Sequence, residues 1–207
     1  MDWTAFVAAL DDAADPVSLA DTLFRELTHV ETDLARIVTE ADEATQLRAV
    51  HRIRVPDTEP MAWPVLSRPG RYDIVLNLYD RDRFDRMLKA GSISPHRHHF
   101  SFASVVLHGG FAHFVYANDG EVDEPVLRPH LNEFVGRGGQ LLLHWATYHC
   151  VLSPRPETVS LMVRGAPVAE NPFTGDDTYT VEHLRLDRDR LAEALRVADP
   201  ARAAQDA

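Results

Sequence analysis

Pro95-His96-Arg97-His98-His99-Phe100-Ser101-Phe102 decides how this chain is read, and Tyr148-His149-Cys150-Val151 completes it further on. His96 and His98 are two residues apart. On a strand, side chains alternate between faces, so that spacing sends both imidazoles to one face and His99 to the other. A third histidine from a later strand, His149, can then close a three-nitrogen site. Imidazole suits iron, zinc, copper and nickel, and a metal held from one side by three protein ligands keeps positions open for substrate. His96, His98 and His149 are therefore the expected metal ligands.

Around this stretch the chain reads as short extended segments. Tyr72 to Tyr79, His98 to His108, Phe111 to Ala117, Gln140 to His144 and Val159 to Arg164 are rich in Val, Leu, Phe and Tyr. Gly, Pro, Asn and Asp separate them, which is the pattern of strands between turns. Val181 to Leu186 reads as a last strand, and Leu191 and Leu195 mark a short C-terminal helix whose tail is expected to fray from Pro200. Arg81 to Leu88 is a charged insertion with the look of a helical turn.

The first fifty residues are different. Leu23, Leu27, Val30, Leu34 and Ile37 follow a three-four spacing, the signature of an amphipathic helix, with Ser18 as its expected N-cap. A shorter helix is expected before Asp15-Pro16, and another from Glu43 to Val50. Pro56, Pro60, Pro64 and Pro69 then break the chain. Helices first and many short strands afterwards, with no alternating βαβ units, predict a small antiparallel β-barrel or sandwich. The expected division is a helical flank over 1–50, a barrel over 51–187 and a C-terminal helix and tail over 188–207, together one structural domain.

A length of 207 residues fits that reading, with 45% hydrophobic and 26% charged residues. The net charge of -11 argues against nucleic acid or an anionic membrane as partner, because both select positive surfaces. Cys150 is the single cysteine, so no intramolecular disulfide forms and a reducing cytoplasm is the simplest expectation. The first residues lack the basic start of a secretory signal, and no apolar run approaches the roughly 18 residues that span a bilayer.

The two histidine stretches resemble the cupin superfamily. Its first motif runs Gly, five residues, His-x-His, three or four residues, Glu, six residues, Gly; this chain has Ala90, five residues, His96-Arg97-His98, three residues, Phe102, six residues, Gly109. Its second runs Gly, five residues, Pro-x-Gly, two residues, His, three residues, Asn; here stand Gly138, five residues, His144-Trp145-Ala146, two residues, His149, three residues, Ser153. The resemblance implies a mainly-β single cupin, a small antiparallel barrel of jelly-roll type with the helical flank outside it. Phe102 replaces the family's glutamate, which leaves a three-histidine set similar to the thiol dioxygenase branch, cysteine dioxygenase included. That branch carries Ser-x-His-x-Tyr on a later strand, where this chain has Ser160, Met162 and Arg164. Only the serine matches, so the implied substrate is not cysteine itself.

Three neutral imidazoles leave a divalent metal its full formal charge, which favours an anionic, chelating substrate. The expected activity is oxidation of a small polar or anionic metabolite with dioxygen at mononuclear Fe(II), since an open face accommodates both reactants. Zinc, manganese or nickel in the same site would instead give a redox-silent isomerase, lyase or rearrangement enzyme. A non-catalytic small-ligand-binding cupin is the third reading, because one barrel hosts many functions. Cupins often pair through exposed strand edges, which leaves a homodimer open.

Other residues carry narrower expectations. Arg164 could clamp a substrate carboxylate from inside the barrel. Tyr148 could donate a hydrogen bond into the site, and His144 could serve as a substrate group, with a turn position the plainer reading. His113 is a candidate for the pocket lining, His108 for the rim, and Arg71 is a weaker carboxylate partner. Phe100, Phe102 and Met162 are expected to form an apolar wall, and Cys150 to point away from the metal.

Overall fold

Two antiparallel sheets face one another in the computed structural model, which describes residues 2–13, 15–27, 33–53, 61–121, 124–168 and 179–198. The strands are β1 (Met61–Arg68), β2 (Tyr72–Tyr79), β3 (Phe102–His108), β4 (Gly110–Asn118), β5 (Leu127–Gly136), β6 (Gln140–Leu143), β7 (Tyr148–Leu152) and β8 (Thr158–Gly165). One sheet has the order β1-β2-β8-β3-β6 and the other β5-β4-β7. An isolated antiparallel bridge between His96 and His149 lays the His96 segment beside β7. The second sheet therefore runs His96 segment-β7-β4-β5, opposite β2-β8-β3-β6. Two four-membered sheets that exchange the chain in this way form a double-sheet jelly roll, with β1 as an added edge.

Alternation along the strands divides the core in two. Ile74, Leu76, Leu78, Ala103, Val105, Leu161 and Val163 face outward from the larger sheet, where Phe6, Leu10, Leu23, Val38 and Leu191 of the helices cover them. Tyr79, Phe102, Val106, Phe111, Val135 and Leu143 fill the space between the sheets. All eight residues of β2 are buried, because helices pack on one face and the second sheet on the other. Deleting a side chain such as Leu161 or Leu76 would cost about 2–5 kcal/mol, the range for a large aliphatic lost from a tight core.

The helical flank comprises α1 (Trp3–Asp11), α2 (Pro16–Glu26), α3 (Leu34–Glu40) and α4 (Glu43–Ile53). Asp15, not Ser18, caps α2: its carboxylate accepts from the Val17 and Ser18 amides, with Pro16 in the first turn. A carboxylate there satisfies two otherwise unpaired donors, and proline suits the first turn. The three-four stripe from Leu23 to Ile37 is interrupted rather than continuous, since Asp33 caps a new helix at Leu34. That helix buries Ala35 and Val38; Val30 lies outside the described residues. Asp80 caps α5 (Arg81–Lys89), which confirms helix in the charged insertion.

Further expectations change. Val181 to Leu186 is not a strand but the start of α6 (Val181–Ala198), so the helix begins inside the stretch assigned to the barrel. Its buried residues, Leu184, Leu191, Ala192, Ala194 and Leu195, recur at helical spacing, and Leu186 is exposed. The fraying tail from Pro200 lies outside the described residues. β1 carries Pro64 at a register shift on an edge, where a missing N–H is tolerated. β5 is exposed from Arg128 to Phe134, and Pro129 and His130 interrupt its apolar residues, so no sustained alternation announces it in the sequence. Arg71 is committed to the Asp11 carbonyl and carboxylate of α1, beside the Arg68–Asp11 pair, and so ties the flank to the sheet rather than facing a substrate. Among the described residues no helix is long and apolar enough to cross a membrane.

Candidate metal centre

His149 is the second residue of β7, and its backbone fixes the neighbour. The His96 amide donates to the His149 carbonyl at 2.9 Å, and the His149 amide donates to the His96 carbonyl at 2.8 Å. Residues directly opposite in an antiparallel pair present their side chains on the same face. The two rings accordingly lie 4.8 Å apart between centroids. His98 reaches the same point from irregular backbone. The expected strand starts at Phe102 rather than His98, so the His-x-His pair is held by one bridge and not by a ladder.

One ring nitrogen from each of His96, His98 and His149 lies within 4.8 Å of the others. The Nε2 atoms of His98 and His149 are 2.9 Å apart. Two nitrogens on one metal, with bonds of about 2.1 Å at a right angle, would sit about 3.0 Å apart. The spacing therefore suits adjacent ligands of one ion. His96 turns its Nδ1 to the Ser94 carbonyl at 3.2 Å, which favours the proton there and leaves Nε2 as the donor atom. His98 is braced by stacking on Phe100 and by an edge contact to Phe102, each 5.1 Å between centroids.

The imidazoles are held neutral, as ligands must be. Burial pushes His149 down to about 2, with the neighbouring His96, His98 and His113 adding to the effect. Burial likewise pushes His98 down to about 3, helped by His96 and Arg164. His96, the exposed member of the three, is lowered by loss of water around its ring, against the opposing bond to Ser94.

Beyond the three histidines the expected residues scatter. Arg164 projects into the space between the sheets, but its Nε and Nη2 donate to Asp73 Oδ2 at 3.1 and 3.0 Å, and both side chains are largely buried. Its guanidinium also lies 5.1 Å from the Phe100 ring, next to His98. Its charge near the site is thus balanced by an aspartate on β2. Tyr148 falls on the opposite face of β7 from His149, because adjacent strand residues alternate, and it pairs in register with Tyr116. His144 is exposed in the turn before β7, where its Nδ1 accepts from the Ala146 amide. Neither joins the cluster. Phe102 is buried between the sheets, with Phe100 and Met162 packed against the same core. Cys150 lies on the outer face beside the Tyr116 hydroxyl.

His113 lines the centre more closely than the sequence suggested. It is 1% exposed, and its Nε2 lies 3.2 Å from His149 Nδ1. Asp73 was missed altogether. Its signal was an aspartate inside an otherwise apolar strand, a position that requires a buried partner.

No family model matches the chain, and no curated protein matches it in sequence. Among solved structures it is similar to KdgF from a Halomonas species, with 18% identity over 55% of this chain and 87% of that one and a TM-score of 0.35. It is similar to the hydroquinone 1,2-dioxygenase PnpCD in complex with Cd2+ and 4-hydroxybenzonitrile, with 20% identity over 53% and 64% of the two chains and a TM-score of 0.37. An RmlC-like cupin from Shewanella frigidimarina gives 13% identity over 57% and 79%, with a TM-score of 0.33. The jelly-roll assignment stands on the strand order, and the candidate metal site on the convergence of three histidines.

Proposed function

We propose that the chain is a mononuclear non-haem Fe(II)-dependent oxygenase that acts with dioxygen on a small polar or anionic metabolite. The observation that carries this reading is a cluster of three neutral imidazoles with Phe102, not a carboxylate, against it. Iron bound there would supply a centre at which substrate and dioxygen are activated together. His96, His98 and His149 hold it. Phe100, Phe102 and Met162 keep bulk water from the inner side, which strengthens electrostatic contacts within the site. An anionic group fits an all-imidazole site, which leaves the metal's charge uncompensated. Arg164 lies beside it, its charge shared with Asp73 and its guanidinium against Phe100. The three-histidine set also supports kinship with the thiol dioxygenase branch, while Met162 and Arg164 on β8 point to a substrate other than cysteine.

The same donor set suits zinc, manganese or nickel, and with those the chain would be a redox-silent isomerase or lyase. We further propose a cytoplasmic protein, able to pair through its exposed edges as a homodimer. The deciding experiment is anaerobic reconstitution with Fe(II), then oxygen uptake against a panel of small anionic and polar metabolites. Uptake with one member, lost in His98→Ala, supports the oxygenase. Iron-loaded protein that consumes no oxygen with any member, alongside zinc-loaded protein that converts one, would favour the redox-silent reading.

A further inference from the structure

The cluster does not end at its three ligands. β4 crosses between β7 and β5, and in its register His113 stands directly opposite Glu133. His113 faces inward and is 1% exposed, while the Glu133 side chain is 46% exposed at the sheet edge. His113 Nε2 lies 3.2 Å from His149 Nδ1, and His113 Nδ1 lies 3.8 Å from Glu133 Oε1. That Nδ1 is otherwise a buried polar atom without a hydrogen-bond partner among the described residues. A buried ring nitrogen in that state is costly unless the nearby carboxylate completes it.

The tautomers follow from one condition. If His149 gives its Nε2 lone pair to a metal, its proton must sit on Nδ1, which faces His113 Nε2. His113 then accepts there and must carry its own proton on Nδ1, which faces Glu133. The first donor meets an acceptor at hydrogen-bond distance, and the second points toward a half-exposed carboxylate at an ion-pair separation. With the ring turned over or the partner removed, the sequence of donors and acceptors fails. Metal-bound histidines characteristically donate their second N–H in this way, which fixes ring orientation and raises ligand basicity.

We propose that His113 and Glu133 are positioning residues for the metal: a carboxylate–histidine–histidine row that locks His149 in the tautomer with Nε2 free to ligate. This rests on the metal reading of the cluster, but not on oxygen chemistry. The test uses Zn(II) alone as probe, with affinity measured by chelator competition on intact protein. His113→Leu should weaken binding roughly 10- to 100-fold, the usual effect of removing such a partner. His113→Gln keeps an acceptor for the His149 N–H and should recover part of the loss. Glu133→Gln, at a half-exposed position that leaves the core intact, should weaken binding by a few-fold. Long-range 15N–1H spectra of zinc-loaded, histidine-labelled protein should place the protons of His149 and His113 on Nδ1. Tight wild-type binding with Glu133→Gln and His113→Gln unchanged, or a His149 proton on Nε2, would overturn this inference alone. Wild-type protein that binds no zinc would overturn it together with the metal reading.

Discussion

Acidification should unfold the metal-free protein earlier than its carboxylates alone would require. His98 and His149 titrate near 6.5 in an unfolded chain and at about 3 and about 2 in the fold. Below pH 6.5 the unfolded chain gains protons that the folded one refuses, so stability falls as pH falls, down to the folded values. Each imidazole held neutral costs about 1.4 kcal/mol per pH unit in that window. From pH 6.5 to 5.0 the limit is about 2 kcal/mol for each ring, or about 4 kcal/mol for both. His98 is partly open to solvent and the rings interact, so about 3 kcal/mol is the working figure. His96 and His113 shift in the same direction and add to the sign. The lowered carboxylates, Asp11 and Glu43 among them, act at lower pH and leave this window to the histidines. Urea unfolding of chelator-treated protein at several pH values between 5.0 and 7.0 reads the slope. His149→Gln should be shallower than wild type by about 1.4 kcal/mol per pH unit, the contribution of one withheld proton. Identical slopes in the two proteins, or a wild type that gains stability on acidification, would refute the reasoning.

Zn(II) added at pH 7 should raise the urea midpoint of wild type and leave that of His98→Ala nearly unmoved, because only the folded cluster binds. Asp73→Ala removes the carboxylate that Arg164 donates to between the sheets and should cost about 3 kcal/mol in denaturant unfolding, with much of it regained in the apolar pair Asp73→Leu, Arg164→Met. Gly109→Ala should lower the melting temperature by several degrees: Gly109 has φ of +71°, and an added Cβ would fall 2.9 Å from the Thr158 Cα where the chain passes from β3 to β4. Phe102→Glu puts a carboxylate beside His98 and His149, and should destabilise the metal-free protein while making its stability depend on added metal more strongly than wild type's.

The architecture was legible where periodicity was strong. Tyr72 to Tyr79 and Val159 to Arg164 became β2 and β8 nearly as read, because strands covered on both sides are mostly apolar, with Asp73 and Asn77 meeting Arg164 and Ser160 as paired exceptions. β5 escaped notice since Pro129 and the polar residues around it break up Leu127, Leu131, Phe134 and Val135, which keep no sustained alternation. Val181 to Leu186 misled because Leu184-Arg185-Leu186 alternates at its end, within a six-residue window too short to separate two periods. The three histidines that converge were visible from spacing, although the expected strand through His98 is irregular chain. Their supports were not visible. His113 and Glu133 meet across β4 and β5, and Arg164 meets Asp73 across β8 and β2, and register between distant strands cannot be read from either strand alone.

The measurement that reaches the centre of the account is metal stoichiometry after anaerobic reconstitution and removal of loosely bound ions, made on wild type and four alanine variants. Wild type should hold iron or zinc stoichiometrically. His98→Ala and His149→Ala should lose it, while His99→Ala and His144→Ala, outside the cluster, should retain it. Wild-type protein that retains no metal, or variants at His99 and His144 that lose it as fully as those at His98 and His149, would contradict the site.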